Sequence, residues 1–68
     1  MEYVSELRER LDVLRWERLE AEAVGLTNCE AYVRALDDEI SACRSALVGA
    51  IVTELAIARS ELSGRLVG

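Results

Sequence analysis

The chain has no histidine, no proline, no lysine and no phenylalanine, and only two cysteines and four glycines in 68 residues. Each shortage removes something. Without His, and with two Cys, the usual four-ligand zinc site cannot be assembled, and Ser–His or Cys–His nucleophile pairs are unavailable. Two Cys allow at most one bridge, so a disulfide framework is ruled out. No Gly-rich phosphate loop is present. With no Pro, and with Gly64 and Gly68 lying in the last five residues, the interior has almost no helix breakers. These shortages predict a chain with no enzyme activity, cofactor or metal.

Ala, Leu, Glu and Arg dominate what remains, and these are strong helix formers. The net charge of −5 disfavours nucleic acid and anionic membrane surfaces as partners. Charge is concentrated in residues 1–45, whereas residues 46–68 hold only Glu54, Arg59, Glu61 and Arg65. The longest apolar stretch, Ala46 to Ala58, falls short of the roughly 20 residues that cross a bilayer. The N-terminal segment is charged and unlike a signal peptide. The expectation is a single cytoplasmic domain over 1–68, with reduced thiols and no membrane partner. A chain this small rarely buries enough apolar surface alone. With metal and disulfides set aside, self-association is the remaining remedy.

The first helix is predicted over 2–24. Val4, Leu7, Leu11, Leu14 and Ala21 share one face, interrupted by Arg18, and Glu6 and Arg10 lie four apart in the favourable order. Trp16, Leu19 and Ala23 form a second apolar group about 160° away, which marks Trp16 and Leu19 as a face that packs within the protein's own dimer or meets a partner, for instance a host protein. Gly25 is suited to the left-handed conformation that ends a helix, with Leu26 as its hydrophobic companion. Thr27-Asn28-Cys29-Glu30 then reads as a capping box, with Thr27 and Glu30 exchanging hydrogen bonds. Asn28 is the other cap candidate, and Leu26 and Ala31 would form the staple.

The second helix is predicted over 28–63. Cys29, Val33, Leu36, Ile40, Cys43 and Leu47 alternate steps of four and three, a coiled-coil seam. On this seam both cysteines read as small core residues. Val48, Val52 and Ile57 then widen the apolar surface. Gly49 marks a kink or a close approach, and Gly64 a stop before a short tail. Asp37-Asp38-Glu39 fan out around the helix and do not converge on one ion.

A stop and a start so close together predict an all-α, antiparallel two-helix hairpin. At 1.5 Å per residue the helices measure roughly 35 and 54 Å, so the first covers the second only to about residue 51 if the second does not fold back at Gly49. The apolar C-terminal half is therefore assigned to an oligomer interface made of Leu47, Val48, Ile51, Val52, Leu55, Ile57 and Leu62. The expected assembly is a homodimer forming a four-helix arrangement.

Through RLDVLRWERLEAEA and LVGAIVTELAIARSELSG, most of the chain resembles the short, Arg-rich, Lys-free helical proteins of actinobacteria and their phages. That resemblance implies an accessory role and no mechanism. Asp37, Ser41 and Arg44 also resemble the start of the nucleotide motif of the anti-sigma factor RsiG, a helical hairpin. Val48 and Val52 stand where that motif has Gln and Asp, so the resemblance implies a hairpin regulator and not nucleotide binding. The sequence thus offers three functions. One is a non-enzymatic interaction module, one a structural subunit of a larger assembly such as a phage particle, and one a sensor of an anionic molecule through Arg34 or Arg44.

Overall fold

A computed structural model describes residues 2–67, with side chains described for residues 2–64. The chain is all-helical among these residues. Helix α1 spans Glu2–Ala23, a 3₁₀ turn spans Leu26–Asn28, and helix α2 spans Glu30–Val67. The sequence-based boundaries therefore shift. α1 stops one residue early, α2 starts two residues late, and α2 runs on beyond residue 63.

The reasons are local. Gly25 adopts φ 79°, the left-handed conformation expected of it. Its N–H donates to the Glu22 carbonyl at 3.2 Å, and the Val24 N–H donates to the Glu20 carbonyl at 3.1 Å, which closes off α1. The Thr27–Glu30 capping box does not form, because residues 26–28 are taken up by the 3₁₀ turn. Cys29 occupies the cap position instead. Its N–H donates to the Leu26 carbonyl at 3.0 Å, and its carbonyl accepts from the Val33 N–H at 3.1 Å. Cys29 is consequently exposed, a correction to its placement on the core seam. Leu26 and Ala31, the expected staple, are exposed as well.

Neither glycine within α2 interrupts it. Gly49 and Gly64 both sit inside the helix, and among the described residues Gly25 is the one residue with positive φ. Gly64 therefore does not act as a stop, and the expected tail is helical to Val67; Gly68 lies outside the described residues. Outside the adjoining turns of its own helix, nothing lies within 4 Å of where a Cβ on Gly49 would stand, so no other described segment packs closely there. A fold-back of α2 at Gly49 is excluded by its continuity.

The two helices form a helical hairpin. Contacts join Leu7 to Cys43, Arg10 to Glu39 and Glu17 to Tyr32. The core is Leu11, Leu14, Leu36 and Cys43, with Leu7, Tyr32, Ile40 and Leu47 packed against it; Val4 and Ala21 are also buried. Cys43 is small enough for α1 to come close, and its thiol donates to the Leu7 carbonyl at 3.4 Å. Arg18, which breaks the α1 stripe in sequence, is half-buried and its guanidinium is held by two carboxylates. Its Nε meets Asp37 Oδ1 at 2.7 Å and its Nη1 meets Glu22 Oε1 at 3.4 Å. Arg10 pairs across the helices with Glu39 at 3.4 Å, and not with Glu6 on its own helix.

The molecule is a thin rod of 60 × 16 × 12 Å. Its radius of gyration is 17.5 Å, against about 11 Å for a compact domain of this length.

Candidate functional site

The described residues offer surfaces and no enclosed site. Two shallow concavities are lined by α2 alone, one by Ser41, Arg44, Ser45, Val48 and Gly49, the other further along by residues from Val52 to Ser63. A third runs from Thr27 to Asp38, along the turn and the start of α2. Ser41 and Arg44, two of the residues in the RsiG resemblance, line the first, while Asp37 is engaged with Arg18. No grouping of acids or cysteines among the described residues could hold a metal ion.

The first candidate surface lies on α2. Val48, Val52, Leu55, Ile57 and Leu62 are all more than half exposed. Of the other two residues assigned to the oligomer interface, Leu47 packs against the chain's own core and Ile51 is half-buried. The exposure has two causes, and sequence reasoning recognised one. At 100° per residue, Val48, Val52, Leu55 and Leu62 lie about 100–180° round the helix from buried Cys43. Val48 and Val52 face away from α1 whatever its length, whereas Leu55 and Leu62 lie within about 40° of half-buried Ile51 and are exposed because α1 does not reach them. Ile57 lies only about 40° from Cys43, in line with the core face, and is exposed because α1 does not reach it. Val48, Val52, Leu55, Arg59 and Leu62 step by four and three, a seam of their own. That spacing is visible in the sequence once an Arg is allowed within an apolar stripe.

The second surface lies on α1. Trp16 is 66% exposed, with Val13 and Leu19 exposed beside it. Trp16 sits about 180° from the centre of the α1 core stripe, so it points directly away from α2. Val13 joins this patch although the apolar spacing alone did not single it out.

Sequence reasoning also missed the polar contacts across the hairpin, that of Tyr32 among them. The Tyr32 hydroxyl donates to Glu17 Oε1 at 2.8 Å. That hydrogen bond raises the Tyr32 pKa above its usual 10.0, with smaller contributions from desolvation and from the charges of Glu17 and Glu20. Tyr32 precedes a seam position, so the heptad pattern gives no hint of it.

Within α2, between Glu30 and Gly64, one stretch is long and apolar enough to cross a membrane by length and composition alone. Comparison with models of known protein families, with curated proteins and with solved structures yields no match to this chain, so the two surfaces carry the functional reading alone.

Proposed function

We propose that the protein is a non-enzymatic interaction module, an antiparallel helical hairpin that associates with copies of itself through the exposed half of α2. One observation carries this reading. The chain exposes 5474 Å², whereas a compact monomer of 7.5 kDa exposes about 4,200 Å². The excess of about 1,200 Å² exceeds the roughly 800 Å² that each partner buries in a standard interface. Eleven large apolar side chains are at least 48% exposed among the described residues, which is the condition in which a surface marks an association site. A protein partner suits this surface better than a bilayer, because Arg44 and Glu54 would be costly in hydrocarbon.

A dimer is the smallest assembly that covers the α2 stripe, and a four-helix arrangement of two hairpins is its simplest form. In that form the protein serves as a small accessory or regulatory module. A second reading, a repeating structural subunit, is favoured by the presence of two exposed apolar faces on different helices.

Solution mass measured across a concentration series tests the association. The wild type should exceed monomer mass, and Leu55→Glu, which places a charge in the middle of the stripe, should be monomeric with its helix content retained. Equal masses for the two proteins would place the interface elsewhere.

A further inference from the structure

The two exposed faces differ in charge. Centre a helical wheel on Trp16 and consider the residues within about 60° on either side. Beside Val13 and Leu19, this arc of α1 contains Glu9, Asp12 and Glu20 and no base; the nearest, Arg8, lies about 80° round. Centre a second wheel on Val48 and follow α2 from Arg44 to Ser63. The same arc contains Val52, Leu55 and Leu62 with Arg44 and Arg59, and no acid. Glu54 and Glu61 lie at least about 120° away. One apolar face is thus rimmed only by carboxylates, and the other is lined only by guanidiniums. The acid-rimmed α1 patch from Glu9 to Glu20 is about 17 Å long and the α2 stretch about 29 Å, so the first fits within the second and opposes it in sign.

We infer that the occupant of the α2 stripe is a second copy of this chain, docked through the Trp16 face of its α1. The inference rests on self-association and specifies which surfaces meet. Two α2 stripes laid together would bring four arginines into one interface with no acid on the stripe to offset them. Pairing α2 with α1 of another copy places Arg44 and Arg59 against Glu9, Asp12 and Glu20, and sets the guanidiniums within reach of the Trp16 ring. The Trp16 face points directly away from α2. A copy docked on it therefore cannot also cover the α2 stripe of the same molecule. Each chain has one face of each kind for two different neighbours, which makes the contact heterologous and the assembly a ring or an open chain in place of the closed two-hairpin dimer.

Two full-length charge variants test the pairing. One carries Arg44→Glu and Arg59→Glu, the other Glu9→Arg, Asp12→Arg and Glu20→Arg. All five positions are exposed, so helix content by circular dichroism should match the wild type. Neither variant should associate alone at a concentration where the wild type does, and an equimolar mixture should recover the wild-type mass. Association of the α1 variant by itself would overturn the inference in favour of stripe-to-stripe pairing, as would a mixture that stays monomeric. Trp16 gives a second readout that needs no substitution. Its fluorescence should shift to shorter wavelength as wild-type concentration rises; emission typical of water at concentrations where mass shows association would overturn the inference. A wild type that stays monomeric throughout overturns self-association itself, and binding of that monomer to lipid vesicles would assign the stripe to a membrane.

Discussion

The two halves of α2 belong to one unbroken helix, yet they live in different surroundings. From Glu30 to Leu47 the helix lies against α1, Leu36 and Cys43 are buried, and Asp37 and Glu39 bond to arginines of the other helix. From Val48 to Gly64 no side chain is buried, although the stretch carries only three charged residues against six in the first half. Helix-forming tendency does not separate the halves, since Ala and Leu are plentiful in both. What separates them is a neighbour. In most proteins an amphipathic helix draws its stability from such packing more than from propensity, so the second half is a helix whose packing surface is still unused within one chain.

The largest effect that sharpens this contrast is a cavity. Leu14→Ala removes a buried side chain from the four-residue core and should cost about 2–5 kcal/mol, enough to unfold much of so small a protein in a chemical denaturation experiment. An intact, cooperative transition at the wild-type midpoint would mean the hairpin contacts are not what holds the two helices together. A smaller effect, of opposite sign, is expected at Gly49, where a Cβ meets open space. Gly49→Ala should stabilise the monomeric chain by up to about 1 kcal/mol through helix propensity. A loss of association in that variant would show that a neighbouring copy approaches closely at this point.

The smallest effect belongs to the covered half and is seen only at high pH. The neutral Tyr32 phenol donates to Glu17, whereas the phenolate would be repelled by Glu17 and Glu20. The folded-state pKa is raised, so this contribution to stability is fully present below about pH 10. It is lost as pH rises through the higher folded-state value. Thermal melts of wild type and Tyr32→Phe across that range should show the wild type falling more steeply, and parallel curves would remove Tyr32 as the cause.

The helices were legible in the sequence because the pattern was long and free of breakers, and the α1 stripe from Val4 to Ala21 was legible because its spacing is helical. The turn was half legible. Gly25 has a backbone requirement that few other residues meet, so it could be read directly. The Thr27–Glu30 box could not, because the same residues also satisfy a 3₁₀ turn, and the choice between them depends on how α1 and α2 seat together. Cys29 was misplaced for the same reason: a seam drawn by spacing has no knowledge of where the helix begins. The excess length of α2 was legible by subtraction, but the direction of Val48 and Val52 required knowing which face α1 occupies. The opposite signs around Trp16 and Val48 were present in the sequence throughout. They become meaningful only when Leu11, Leu14, Leu36 and Cys43 fix which sides of the helices are spoken for.

A body 16 × 12 Å in cross-section is about one helix thick in its narrow direction. Such an object has little interior beyond the narrow seam of Leu11, Leu14, Leu36 and Cys43. No group can be held more than a side chain's length from the medium, and a single copy has no room to wrap anything else. Whatever discrimination the protein exercises must come from matching one long strip of surface to another, in the way a splint is fitted along a bone.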